Sequence, residues 1–555
     1  MRIESSLLAS APGSAPTQLA PGPPRRGRID RVELVLLGLF GLMSMWVVAI
    51  DVWQTIAHGR VWTGTDGWFI VDQMQYLAWI QSASHHLLVA NLFVLRDTPS
   101  DYFQPAVAIS GAIAALGVAP WLALLLWKPV AVTATFFALR AYAHRTVTTV
   151  GQRRAVILLG LFFGSFTVIY GSFGIVGDMM PGWLSWGYPF GLIAVALIVF
   201  ALLGYSQARE RGSIAWAPGV LGGVASTLHP WQGELLILIL AMAELLRWRE
   251  HRRGEGLALP GLTLVLTGAP LIYYLALGHI DLSWGLAREA SKHTFSLPTI
   301  VIGIAPLLLV AALGYRGRPR DFLELTTRLW PLAALLIWLL SATALSATPL
   351  HAFNGITMPL AVLAVTGVTR QGWHRVARMR VVGALALAAA TIPANAYAIA
   401  AAPGEVQPAG GNANFITRDE RDALTFLRRD PDDGGVLTQF YLGETVPAQT
   451  GRHTLVGDCL WSQPACMPRS LAADALFEGK MTRRQARDFV RTSGARFLLA
   501  SCAPHVDLLR LLGSTIVSVH RFGCAAVYDV GQTGTAGGPL AELPRDAAVR
   551  PSRRQ

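Results

Sequence analysis

Residues 32–50 read VELVLLGLFGLMSMWVVAI, and this run decides the fold class. A helix of about 20 apolar residues crosses the hydrocarbon core of a bilayer, and the run has that length. A comparable run covers 381–402, and others lie between the two. Arg25, Arg26, Arg28 and Arg31 precede the first run. Loops on the cytoplasmic side carry the excess of Arg and Lys, so the N-terminus is expected there. No convincing small-residue cleavage site follows, so the run reads as an uncleaved anchor rather than a signal peptide.

Composition supports this reading. Of 555 residues, 53% are apolar and 14% charged, against about 25% charged in a typical soluble domain. Mean hydropathy is +0.43. A soluble enzyme, a collagen-like chain and a disordered chain are excluded. The net charge of +12 does not imply nucleic acid, because the basic residues sit in short clusters between apolar runs. Lysine occurs only at Lys128, Lys292 and Lys480.

Basic clusters at 140–154, 209–211, 247–253, 316–328 and 370–380 alternate with loops rich in His, Asp, Trp and Tyr at 51–102, 178–188, 229–234, 279–293 and 351–354. The alternation predicts a mainly α, polytopic transmembrane bundle of about eleven spans, with thirteen as the alternative. The spans fall near 32–50, 121–143, 155–176, 187–204, 214–229, 232–247, 257–277, 298–314, 329–347, 355–369 and 381–402. Residues 103–120 would break the alternation as a span and are read as an interfacial or partly inserted helix. The expected organisation is a disordered cytoplasmic tail (1–31), a transmembrane part (32–402) with a long first outer loop (51–104), an extracytoplasmic α/β domain (403–530) and a disordered tail (531–555). The protein is expected to be multi-pass in the cell (plasma) membrane.

Within 403–530, residues 418–429 and 482–492 read as helices. Residues 435–440, 453–457, 496–501, 514–520 and 525–530 read as strands. All four cysteines, Cys459, Cys466, Cys502 and Cys524, lie after the last apolar run. An even number in one soluble region suggests disulfides in an oxidising compartment. Cys459 and Cys466 would close a short loop, and Cys502 and Cys524 would link neighbouring strands.

The polar residues concentrate in the outer loops. Asp72 and Tyr76 are four apart and share a helix face. A carboxylate there can take a proton from an attacking hydroxyl or amide; alternatively Asp72 caps the helix. Asp51 ends the first run and is a catalytic residue, a metal ligand or simply the polar exit from lipid. Lys128, inside an apolar run, is a functional candidate by default or a snorkelling side chain. Asp178 opens a stretch containing Trp183, Trp186 and Tyr188, whose rings suit either a membrane interface or a sugar. His229 and Gln232 sit in a turn too short to need them. Arg288 and Lys292, four apart on an expected helix, suit a phosphate or pyrophosphate. His351 and Asn354 occupy the last such loop. A transporter concentrates ionisable groups near the midplane, whereas here the middles of the runs are nearly clean.

This layout resembles the GT-C superfamily of membrane glycosyltransferases: one helix, a long acidic outer loop, about ten further spans and a C-terminal α/β domain. The stretch Gly443-Glu444-Thr445-Val446-Pro447-Ala448-Gln449-Thr450-Gly451-Arg452, with Arg469 and Phe477-Glu478-Gly479, resembles the external domain of bacterial members. The resemblance implies sugar transfer from a polyprenyl-phosphate-linked donor to a glycan, lipid or protein acceptor. Asp72 would be the general base, with Asp51 as the other candidate. Lys128, Arg288 and Lys292 would hold the departing phosphate, and Tyr76, Asp178, His229, Gln232 and His351 would bind substrate. No Asp-Asp or Asp-x-Asp pair stands beside the first run and no Trp-Trp-Asp tripeptide occurs. Use of a divalent metal stays open. A lipid-glycan binding or assembly protein and a lipid or polymer transporter are the alternatives.

Overall fold

The computed structural model describes residues 28–164, 177–248, 257–292, 296–341, 343, 349–408, 411–504 and 506–531. The expected tails lie almost wholly outside the described residues, as do parts of the expected spans 155–176 and 329–347 and residue 293 of the fourth outer loop.

The first half of the bundle contains α1 (Arg31–His58), β1 (Val61–Trp62), α2 (Ile70–Ala83), α3 (Pro105–Ala115), α4 (Pro120–Leu125), α5 (Trp127–Thr146), α6 (Val150–Phe162), α7 (Pro181–Gly187) and α8 (Pro189–Glu210). The second half contains α9 (Ala217–Leu228), α10 (Pro230–Trp248), α11 (Ala258–Ile280), α12 (Leu282–Ser291), α13 (Leu297–Ala311), α14 (Phe322–Leu340), α15 (Thr357–Arg370) and α16 (Ala377–Glu405). Among the described residues, eight helices are long and apolar enough to cross a membrane. The other three expected spans coincide with α6 and α9, which are shorter, and with α10, which carries Glu234, Glu244 and Arg247. The chain is thus a multi-pass membrane protein. Residues 103–120 hold the 11-residue α3, followed by a break and α4, which continues into α5.

Charges at one end of the bundle are paired. Asp30 and Glu33 form a capping box at the start of α1. Glu33 also meets Arg140 at 3.0 Å and His144 at 3.2 Å, and Asp30 meets Arg154 at 3.1 Å. Glu324 gathers Arg320 (2.9 Å), Arg328 (2.6 Å) and Arg370 (2.5 Å). Clusters far apart in sequence therefore meet on shared carboxylates.

The C-terminal α/β region contains β2 (Phe415–Ile416), α17 (Arg418–Arg429), β3 (Val436–Thr438), α18 (Phe440–Thr450), α19 (Cys466–Phe477), α20 (Arg483–Ser493), β4 (Phe497–Ala500), α21 (Leu508–Leu512), β5 (Ser518–Phe522) and β6 (Ala525–Asp529). Four strands form a sheet in the order β3-β4-β6-β5, parallel between β3 and β4 and antiparallel elsewhere. Disulfides join Cys459 to Cys466 and Cys502 to Cys524, the latter between the end of β4 and the start of β6. The expected strand at 453–457 is corrected: Thr454 makes a single bridge to Val436, because this segment leaves the sheet to follow the first loop, where Thr454 N–H donates to the Leu92 carbonyl at 2.9 Å. Helices α18 and α19 were not foreseen from the sequence.

Several contacts dock this region on the bundle, among them a strand pair and a helix packing. Strand β1 pairs antiparallel with β2, Val61 opposite Ile416. Helix α18 packs along α2. Gly443 of α18 also lies against Gly457 so closely that a Cβ on Gly443 would fall on the Val456 carbonyl oxygen. Since that neighbour is backbone, it cannot rotate away. Gly443→Ala is expected to destabilise the docked region by about 1–3 kcal/mol, the usual cost of overpacking. A lower unfolding temperature of the purified protein, with Gly451→Ala not serving as a substitute because Gly451 is left-handed for a different reason (φ 73°), checks this.

Candidate active site

The site is built around the start of α2. Phe69 occupies the N-cap position and Asp72 the first turn, so Asp72 is not the cap. Phe69 fits there because Gly187 has no side chain; a Cβ at 187 would overlap the Phe69 ring. The Phe69 ring then lies 4.8 Å from the Tyr188 ring, and the Tyr188 hydroxyl lies close enough to the Asp72 carboxylate to favour its charged form. Tyr76, one turn on, packs its ring 5.0 Å from Phe190.

Asp178 reaches the same place from the chain before α7. Its Oδ2 lies 3.5 Å from His351 Nε2, and its carbonyl accepts from Asn354 Nδ2 at 2.5 Å. The His351 ring is 4.9 Å from His229, 4.5 Å from Trp231 and 6.0 Å from Tyr188. Gln232 Nε2 donates to the His351 carbonyl at 3.0 Å. Five buried polar atoms here have no partner among the described residues: Asp178 Oδ1, His229 Nδ1, Gln232 Oε1, His351 Nδ1 and Asn354 Oδ1. Buried polar groups are normally hydrogen-bonded, so such a concentration marks a place where something else binds.

Burial raises the Asp72 pKa above the ordinary carboxylate range; the Tyr188 hydroxyl opposes this, and the charge of Asp178 adds to it. Burial, then the charge of Asp72, raises the Tyr76 phenol, which therefore stays an O–H donor. Two further carboxylates face Asp72 from the C-terminal region. Burial pushes Glu444 well up, followed by the charges of Asp458 and Asp72. Burial pushes Asp458 to about 7, with Asp72 adding to it. Nothing in the sequence had marked Glu444 or Asp458 as site residues. Their one shared signal is that each follows a glycine, Gly443 and Gly457, at the close approach described above.

Asp51 and Lys128 belong to a second cluster. Helix α1 runs on to His58, so Asp51 lies inside it rather than at its end. Its Oδ1 accepts from Asn414 Nδ2 at 2.9 Å and its side chain is fully buried. Lys128 is not available to a phosphate: its buried ammonium contacts the Asp66 carboxylate and the Trp186 carbonyl, with the Ser185 carbonyl at 3.2 Å and that of Ser44 at 3.4 Å. Arg288 and Lys292 do not share a helix face either. Helix α12 stops at Ser291, Lys292 is extended, and its ammonium turns back to Glu289 at 2.6 Å. The structure therefore gathers Asp72, Tyr76, Asp178, His229, Gln232 and His351, and leaves Asp51, Lys128, Arg288 and Lys292 elsewhere.

For a metal, Asp178 and His351 offer an adjacent ligand pair. Among the described residues, the group of three ligand types within chelating distance is Asp419, Cys502 and Cys524. Its sulfurs are bonded to each other, so it does not fit a metal.

No family model matches the chain, and no curated protein matches its sequence. Solved structures do match its fold. The oligosaccharyltransferase of Archaeoglobus fulgidus, in its apo form, is 12% identical; the match covers 88% of this chain and 73% of that one, with a TM-score of 0.52. ArnT from Cupriavidus metallidurans, bound to undecaprenyl phosphate, is 14% identical; the match covers 91% of this chain and 99% of that one, with a TM-score of 0.51. The chain shares the fold of these two proteins.

The Lys128 assignment carries a test. Lys128→Met leaves Asp66 buried without its cation, and breaking a buried pair in this way costs about 3–5 kcal/mol. The unfolding temperature in detergent should fall sharply, and adding Asp66→Leu should recover much of the loss. Unchanged stability in the single variant would mean that the ammonium is free.

Proposed function

We propose that the protein is a membrane glycosyltransferase that moves a sugar from a polyprenyl-phosphate-linked donor to a hydroxyl of a glycan, lipid or protein acceptor. The observation that carries the reading is the set of unpartnered polar atoms on Asp178, His229, Gln232, His351 and Asn354 grouped around Asp72. A sugar, with a hydroxyl on nearly every carbon, offers donors and acceptors to such a set. The fold supports the same reading, as does the undecaprenyl phosphate bound to ArnT.

In this reaction Asp72 takes the proton of the acceptor hydroxyl. The acceptor oxygen forms a bond to the anomeric carbon, and the bond from that carbon to the phosphate oxygen breaks, its electron pair leaving with the phosphate. Asp178 and His351 hold the sugar, or a divalent cation where one is used. Tyr188 keeps Asp72 aimed and supports its charged form. The C-terminal region lies on the outer side and carries the acceptor across the site.

Removal of the gene should cause a polyprenyl-phosphate sugar to accumulate and an envelope glycan to lose a residue, both read by mass spectrometry. Wild type and Asp51→Asn, brought to equal membrane abundance, should restore both; Asp72→Asn should reduce turnover by about 10²–10⁴-fold, the usual worth of a general base. Full complementation by Asp72→Asn would remove it as the base and favour a binding role.

The pH profile gives a second test. A base works when deprotonated, so the rate should fall as pH drops through the raised pKa of Asp72, at a higher pH than for an ordinary carboxylate. Tyr188→Phe removes a hydroxyl that favours the charged form. The pKa of Asp72 should then rise further and the acidic limb should move to higher pH, whereas an unmoved limb would assign it to another group.

A further inference from the structure

A cavity of about 360 Å³ lies on the far side of α2 from the candidate active site. Two residues of α2 line it, Leu77 and Gln81, five and nine positions after Asp72. At 3.6 residues per turn these fall on the opposite side of the helix from Asp72. Small-molecule sites occupy about 300–1,000 Å³, and the cavity is within that range.

One wall belongs to the membrane side. Residues 105–127 contain no charged residue, and Val118, Pro120 and Trp121 of this stretch line the cavity. Pro120 is the first residue of the candidate span Pro120–Thr146, so the cavity sits where that span leaves the bilayer. A Cβ on Gly64 would fall on that of Trp121, and the Trp121 ring lies 5.3 Å from that of Trp62, so the first loop holds this wall in place. Trp121 is itself 37% exposed, and Leu122 and Leu126 follow it on the span at 40% and 50%. Apolar surface therefore runs from the lining onto the outside of the span.

The other wall is polar. Arg428 of α17 and Gln449 of α18 supply it from the C-terminal region, and Gln81 completes it. Gln449 Nε2 donates to the Thr63 carbonyl at 3.2 Å, which fixes the amide in the wall. Arg428 joins no ion pair among the described residues, and no carboxylate lines the cavity.

A guanidinium without a carboxylate suits a phosphate. A single cation matches the single charge of a phosphodiester, whereas a phosphomonoester carries about two negative charges. A headgroup with an ammonium would need a carboxylate beside it. Side-chain amides donate and accept, as headgroup hydroxyls require. The apolar wall at the bilayer boundary suits acyl chains on the same molecule. A lipid of the phosphatidylglycerol type has each of these properties.

We propose that the cavity binds such a glycerophospholipid: Arg428 holds the phosphodiester, Gln81 and Gln449 hold the headgroup hydroxyls, and the acyl chains run along Trp121, Leu122 and Leu126. The lipid joins the uncharged stretch to the C-terminal region behind α2, and its binding does not depend on the transfer reaction proposed above.

The native cysteines are all in disulfides, so Val118→Cys gives the full chain one free thiol in the lining, and Leu471→Cys, 64% exposed on α19, gives one outside it. In detergent, dioctanoyl-phosphatidylglycerol should slow maleimide labelling at 118 and leave labelling at 471 unchanged; no protection at 118 overturns the site. Dioctanoyl-phosphatidylcholine should protect far less, and equal protection by the two lipids overturns the headgroup assignment. Adding Arg428→Gln should raise the half-protecting concentration of phosphatidylglycerol by about tenfold or more, the worth of one hydrogen bond to a charged group. An unchanged concentration removes Arg428 as the phosphate ligand and overturns the proposal. Arg428→Lys should keep most of the affinity, which separates lost charge from lost folding. Glycerophosphoglycerol, the same headgroup without acyl chains, should not protect at these concentrations; if it protects equally, the site takes a soluble phosphodiester and the lipid assignment fails. Protection by maltotriose would assign the cavity to a glycan instead.

Discussion

The buried pair between Lys128 and Asp66 fixes the geometry at Asp72. Lys128 binds the carboxylate of Asp66 on one side and the Trp186 carbonyl on the other. Asp66 N–H donates to Gln73 Oε1 at 3.1 Å, next to Asp72 in the chain, while Trp186 lies two residues before Tyr188. One ammonium thus ties together the two segments that bring Tyr188 to Asp72. Replacing such a pair with apolar side chains is often neutral or stabilising. Its use here is to define a position. Asn414 extends the joint to the C-terminal region, accepting from Thr65 Oγ1 at 2.6 Å while donating to Asp51.

The pocket above this joint is built differently. Around Lys128 the donors and acceptors are mostly satisfied among the described residues, with Asp51 Oδ2 and Gln73 Nε2 as exceptions. Around His351, five buried polar atoms are not. Leaving one buried group unsatisfied costs about 1–3 kcal/mol, so five together oppose folding by more than a chain keeps without return. The two clusters differ in how many of their polar atoms are satisfied, although both contain a buried aspartate and a basic side chain.

That contrast was not legible in the sequence. Run length and the placement of arginines indicated a multi-pass bundle, because a bilayer imposes its thickness on each span and basic residues cluster between spans. Asp72 with Tyr76 was legible as one helix face, and His229, Gln232 and His351 stood out as polar residues in short turns. Lys128 looked like a phosphate ligand because its counter-charge, Asp66, lies 62 positions away. Arg288 and Lys292 looked paired because four-residue spacing has meaning only while a helix continues, and α12 ends between them. Helix α18 escaped notice because Gly443 and Pro447 are poor helix formers in isolation. There the close packing on Gly457 decides, and packing partners are not written in local sequence.

Charge distribution in the site follows from the same two layers. Asp72 and Asp178 come from the bundle, and Glu444 and Asp458 from the α/β region. Carboxylates brought close together in a buried space raise one another's pKa. Asp72 has the Tyr188 hydroxyl beside it, which favours its charged form, and its charge in turn raises both Glu444 and Asp458. Burial and these mutual charges raise Asp72, Glu444 and Asp458 together, and Tyr188 works against the rise at Asp72. If the α/β region moved away, Asp72 would gain water, and burial, the largest cause of its raised pKa, would weaken. The titration of Asp72 is thus tied to the docking held by β1, β2, α2 and α18.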